Sequence, residues 1–236
     1  MQDLRITFIT GMWKRPEVFE MFAKGIEKIQ SQWSNMDIQC VVAGSEGVHS
    51  RSLCEKYNFY YIETPNQPLA RKMNTTVTKA KELESDYVIC LGSDDIIHPD
   101  LFAKYLQLIN DGYDYIGVTD WYFYDTNTKK SLYWGGYKEK WRKGHTCGAG
   151  RVLSKWLLHK WDWKIWEDQQ SHILDNSMQD KLNNTGHRSY TFSLKKEGLY
   201  GLDIKSSTNM TPFKKWDNAN YIDTNALKGV FDYVWN

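Results

Sequence analysis

No two of the four cysteines are close enough to form a C-x-x-C pair; Cys40, Cys54, Cys90 and Cys147 are scattered singly. That spacing argues against a structural zinc site. Cys40 and Cys90 sit inside apolar runs and read as small buried residues, a usage suited to a reducing compartment. No apolar stretch approaches membrane-spanning length, and MQDLR at the start gives way at once to a strand-like run rather than a signal peptide. A soluble, cytoplasmic protein without a membrane partner is the expectation. Charge of either sign is not in excess, with 30 Lys plus Arg against 29 Asp plus Glu. Bulk attraction to nucleic acid or an anionic membrane is therefore not implied, although a local basic patch is still allowed. A Gly-rich phosphate loop is also missing: TGMWKRP after the first strand suits a nucleotidyltransferase poorly. Aromatic residues are plentiful, with 11 Trp and 15 Tyr, and serve either as core or as stacking surfaces for sugars and bases.

A chain of 236 residues fits one large domain with a substantial core. LRITFIT (4–10) is β-rich, and after a break at Gly11–Pro16 the residues Val18, Phe19, Phe22, Ile26 and Ile29 recur at helical spacing. DIQCVVAG (37–44) reads as a strand, GVHSRSLCEKYN as a short helix and FYYIET (59–64) as a third strand. LARKMNTTVTKAKELES then reads as a helix and DYVICLG (86–92) as a fourth strand. Such alternation predicts a mostly parallel sheet with helices on both faces and ligands beyond the strands' carboxyl ends. Thr10, Gly44, Asn66 and Asp94 fall at that edge. A helix begun by His98-Pro99 follows, and His98 is read as structural there. Residues 113–137 then read as antiparallel strands reversing at Asp125–Lys130. GAGRVLSKWLLHKW is predicted to pass from a Gly-rich turn into a helix, and HILDNSMQDKLNNTG to form another.

VICLGSDDIIHPDLF (88–102) ends an apolar strand on two adjacent carboxylates, Asp94 and Asp95. Like charges so close are unfavourable unless a cation sits between them or one stays protonated, and a divalent metal is the obvious candidate. The plain alternative is a solvated Asp94 with Asp95 capping the next helix.

These segments together resemble a glycosyltransferase of the A fold, of the inverting family that includes cellulose and chitin synthases. ITFITGMWKRPEVFEMF resembles the family's opening strand, Arg-Pro turn and helix. LARKMNTTVTKAKELESDYVICLGSDDIIHPDLF resembles the helix and strand leading to its acidic motif. GAGRVLS is similar to the acceptor-side Gly-rich turn, and LDNSMQDKLNNTG to the helix carrying the catalytic carboxylate. LGSDDII and GLDIKSSTNMTPF are also similar to small phage-encoded members. Two positions depart: Gly92 stands where the family has the first Asp of the acidic motif, and AGSEG (43–47) lacks its usual uracil-reading Asp.

The resemblance implies an α/β glycosyltransferase A fold, a Rossmann-like mostly parallel sheet plus a small antiparallel acceptor-side sheet. Residues 1–110 would bind the nucleotide sugar, 111–190 would hold the acceptor and the catalytic base, and 191–236 would form a C-terminal extension. Mn²⁺ or Mg²⁺ held by Asp94 and Asp95 would neutralise the departing diphosphate. Asp175 is the preferred base and Asp168 in IWEDQQ the alternative. Thr10, Arg15, Ser45, Lys72, Asn74, Ser93 and Asp94 fall where a donor should lie. Trp134, Tyr137, Gly148, Ala149, Gly150 and Arg151 fall on the acceptor side, and Asp203 and Lys205 are placed to close over phosphate. The acceptor is a DNA base or a saccharide; the basic, Trp-containing KEKWRKGH (138–145) suits a polynucleotide, while near-neutral total charge counts against one. A catalytically silent sugar-nucleotide- or nucleic-acid-binding module on the same fold is the other reading.

Overall fold

The computed structural model describes residues 4–172, 174–209, 213 and 220–235. Its first half alternates as the sequence predicts: β1 (Arg5–Gly11), α1 (Pro16–Gln32), β2 (Asp37–Gly44), α2 (Val48–Lys56), β3 (Tyr60–Glu63), α3 (Leu69–Glu82) and β4 (Tyr87–Cys90). A short β5 (Asp95–Ile97) precedes α4 (Pro99–Asn110), β6 (Tyr115–Val118), β7 (Trp121–Asp125), β8 (Ser131–Trp134) and β9 (Arg151–Ser154). Then come α5 (Lys155–Lys160), α6 (Leu174–Asn183), β10 (Ser189–Phe192), α7 (Leu194–Glu197) and β11 (Gly201–Lys205). β12 (Asn220–Ile222), α8 (Thr224–Val230) and α9 (Asp232–Trp235) end the described chain.

Seven strands form the main sheet in the order β10-β6-β9-β4-β1-β2-β3. Within it β9 alone runs against its neighbours β4 and β6, and the other pairings are parallel. Period-2 alternation sends Ile6, Phe8, Cys40, Val42 and Ile89 to one core, shared with α1 and α4. Ile9, Val41, Val88 and Cys90 face a second core against α3, α5 and α6. Burial on both faces is why β1 and β2 read as near-continuous apolar runs.

The second sheet has the order β12-β8-β7-β11-β5 and is antiparallel except where β11 runs alongside β7. Its reversal lies where the sequence puts it, with the Asp125 N–H donating to the Lys130 carbonyl at 2.9 Å. Two predicted assignments differ. β6 joins the main sheet instead of pairing with β7, and RVLS forms the strand β9 before the helix begins. In both cases the neighbouring strands supply hydrogen-bond partners that local propensity cannot foresee. All four cysteines are buried and unpaired. Among the described residues no helix is long and apolar enough to cross a membrane.

Candidate active site

The loops after β1, β2, β3 and β4 meet at the carboxyl edge of the main sheet. Lys72, on α3, ties three of them together: its ammonium donates to the Met12 carbonyl, to Ser45 Oγ at 3.2 Å and to Asn66 Oδ1 at 3.0 Å. Burial lowers its pKa to about 8, an effect that Glu46 opposes. Those three bonds use all three ammonium hydrogens, so Lys72 organises the donor edge rather than offering a free charge to phosphate. Asn74 is also committed, donating to the Trp166 carbonyl at 2.7 Å and to Asp168 Oδ1 at 2.8 Å. Thr10 is fully buried, and its hydroxyl has no hydrogen-bond partner among the described residues.

Arg15 reaches the acidic motif from the β1 loop. Lys14 and Arg15 both take positive φ, 49° and 83°, a conformation costing about 1–3 kcal/mol each for side-chain-bearing residues. That bend brings the Arg15 guanidinium to Asp94 Oδ2 at 2.8 Å and to Ser93 Oγ at 3.0 Å. Asn209 donates to the same Asp94 oxygen. Asp95 turns inward and accepts the Gly92 N–H on Oδ2 at 2.7 Å. A Cβ at Gly92 would lie 2.6 Å from Asp94 Oδ1 and 2.8 Å from Asp95 Oδ2, so the two carboxylates occupy the space a side chain there would need.

The second sheet adds a third carboxylate. In the β5/β11 ladder Asp203 pairs directly with Asp95, and Lys205 donates to Asp203 Oδ2 at 2.6 Å. Among the described residues Asp203 Oδ1 is buried without a hydrogen-bond partner. Burial, then Asp203 and Asp94, push the Asp95 carboxyl well above its ordinary range. Burial likewise raises Asp203, to about 7, against the pull of Lys205. Burial opposes the Lys205 charge, but Asp203 and Asp94 outweigh it and the net shift is upward.

Asp94 and Asp95 are therefore not set out as a chelating pair for Mn²⁺ or Mg²⁺. One Asp94 oxygen is held by Arg15 and Asn209, and Asp95 is turned to the backbone. Among the described residues no group of three or more His, Cys, Asp or Glu is arranged to hold a metal ion. The residues fit a divalent ion poorly because cationic side chains already stand among the carboxylates.

A carboxyl whose pKa is raised on folding contributes stability fully present below its unfolded value, about 3.9, and lost as pH rises through its folded value. Asp95→Asn keeps an acceptor for Gly92 while removing the charge. It is expected to raise Tm by roughly 2–4 °C at pH 8, with a smaller gain at pH 5. Thermal melts at the two pH values check this; an equal gain at both would show the carboxyl to be charged throughout.

A cleft of about 640 Å³ is lined by Asp95, Asp203 and Lys205 of the acidic cluster and also by Asp175. Trp134, Tyr137, Gly148 and Ala149 line it too. The Trp134 and Tyr137 rings pack edge to face, centroids 4.8 Å apart, and the Arg142 guanidinium lies 3.4 Å over Tyr137. Asp175 opens α6, where a helix N-terminus favours a carboxylate. Its Oδ2 is 3.5 Å from the Tyr137 hydroxyl, and its Oδ1 is 3.9 Å from Arg151 Nη1.

Arg151 is turned inward, beside Asp175. It is buried and donates to the Cys147, Thr146 and Asp175 carbonyls, bracing the start of α6 against the 146–148 loop. Gly150 takes φ 74° and gives its carbonyl to Tyr105. Asp168 does not line this cleft; Asn74 and Lys164 hold it, and the Asn74 hydrogen bond, with Lys164, lowers its pKa. Trp121 joins the site without a sequence signal, while Asn209 and Arg142 lie inside GLDIKSSTNMTPF and KEKWRKGH, segments read for other reasons. Asn209 sits in an unpatterned polar run, and Trp121 lies within a strand.

The family model for glycosyl transferase family 2 matches residues 17–194. The chain belongs to glycosyl transferase family 2. Among solved structures, S. aureus TarS residues 1–349 superposes with TM-score 0.61 at 14% identity, over 85% of this chain and 60% of that one. The chain thus spans less than two thirds of the TarS structure's length. The same TarS fragment with UDP-GlcNAc gives TM-score 0.56 at 13% identity, over 99% of this chain and 72% of that one. A mannosyltransferase from Pyrobaculum calidifontis, in complex with GDP-Man and Mn²⁺, gives TM-score 0.59 at 12% identity over 90% of this chain and 59% of that one. At such identities the likenesses establish the glycosyltransferase A fold and nothing finer. No curated protein matches the chain in sequence.

Proposed function

We propose that this family 2 chain moves a sugar from a nucleoside-diphosphate sugar to an acceptor hydroxyl, inverting the anomeric centre. The observation carrying this reading is the single cleft joining the cluster at Asp95, Asp203 and Lys205 to the isolated carboxylate of Asp175. The donor's nucleoside would lie along the β1–β4 loops, by Thr10, Ser45 and Arg15, with its diphosphate toward the cluster. The acceptor hydroxyl oxygen attacks the anomeric carbon, and its proton passes to Asp175. The bond from that carbon to the β-phosphate oxygen breaks, and its electron pair leaves with the diphosphate. Attack opposite the leaving group inverts the centre. Trp134 and Tyr137 line the cleft and would narrow the path for competing water.

The mannosyltransferase neighbour is a structure in complex with GDP-Man and Mn²⁺. In this chain Arg15 and Lys205 bring positive charge to the acidic cluster, and no step above requires a metal. The test is isothermal titration of UDP-GlcNAc, GDP-Man and other nucleotide sugars, each with and without Mn²⁺. At least one is expected to bind at micromolar to millimolar Kd, and binding by none would reject the reading.

A further inference from the structure

Lys205 is the buried cation of the acidic cluster. It is 6% exposed, on β11, and its ammonium donates one hydrogen bond, to Asp203, among those of the described residues. An ammonium has three donors, so two remain for a ligand. The residue also lines the cleft beside Asp95 and Asp203. Asp94 is paired with Arg15 and Asp203 with Lys205. A divalent ion entering here would share carboxylates already bonded to other donors, Asp203 with Lys205 and Asp94 with Arg15 and Asn209. A diphosphate instead meets a pre-formed cationic donor at no such cost.

We propose that Lys205 supplies the fixed positive charge opposite the donor's diphosphate, so that this chain binds a nucleoside diphosphate without a divalent metal. Asp203 is a positioning residue that holds the ammonium at the cleft wall. The inference rests on the nucleotide-sugar reading above and specifies how that site neutralises phosphate.

The test measures UDP and GDP binding by isothermal titration in EDTA and again in Mn²⁺, on the wild-type chain, Lys205→Met and Lys205→Arg. In EDTA the wild-type Kd should lie within about threefold of its value in Mn²⁺, and Lys205→Met should bind at least about tenfold more weakly. Lys205→Arg should retain most of the affinity, which separates charge from packing. Thermal melts report whether each variant folds, and the wild-type comparison needs no variant. Nucleotide binding only in Mn²⁺, or Lys205→Met binding as tightly as wild type in EDTA, would overturn the proposal while leaving the glycosyltransferase reading intact. No binding of either nucleotide in either buffer would overturn both.

Discussion

Asp175→Asn is expected to lower sugar transfer by about 10²–10⁴-fold while leaving nucleotide binding unchanged. Asparagine keeps the size and the helix-start position of Asp175 but cannot accept the acceptor's proton. Asp175 contacts Tyr137 and Arg151, whereas Lys205 contacts Asp203, so the donor's phosphates should not sense the change. Single-turnover transfer rates, alongside nucleotide titration, separate the two effects. Asp168→Asn is the paired control. Asp168 is a partly exposed clamp between Asn74 and Lys164, and its loss should cost at most about 1 kcal/mol of stability and little activity. Should Asp168→Asn abolish transfer and Asp175→Asn spare it, the base is assigned to the wrong carboxylate.

Gly148→Ala should lower kcat by about 10²-fold with little change in donor KM. A Cβ at Gly148 would stand 2.3 Å from Asp175 Oδ1 and 2.9 Å from its Cγ, closer than real carbons approach. Asp175 must then move, and Arg151 anchors the backbone at this point by donating to the Asp175 carbonyl at 3.3 Å. With the backbone held, the carboxylate itself turns, and a displacement of roughly an ångström misplaces the base. Combining the two substitutions gives the sharper readout. Gly148→Ala on top of Asp175→Asn should cost almost nothing further in rate, because both remove the same proton acceptor. Full additivity would mean that Gly148 acts through the acceptor instead.

The two ends of the site differ in how far local sequence reveals them. Asp175 is legible as a carboxylate opening a helix in the segment that resembles the family's base-bearing helix, and Asp94 and Asp95 as a charged end to an apolar strand. Their environments are not. The sequence reads Asp95 as a partner for metal, whereas burial and the ladder to β11 turn it toward the Gly92 backbone. Lys72 reads as a phosphate contact because a helical lysine near a sheet edge has the right reach; three oxygens from three loops take up its ammonium. Arg151 reads as acceptor-facing because it follows a Gly-rich turn, yet β9 pairs with β4 and β6 and carries its side chain inward.

By itself, the order of apolar runs and turn residues determined the alternating strands and helices of the first half, the edge at which their loops gather, and the carboxylates those loops display. Period-2 and period-3.6 patterns are local, so a single segment carries them whole. Tertiary structure alone decided that a strand more than a hundred residues later sets Asp203 against Asp95 and brings Lys205 among the acids. Strand pairing at that separation depends on hydrogen-bond partners and on burial shared across the whole sheet, neither of which any one segment contains.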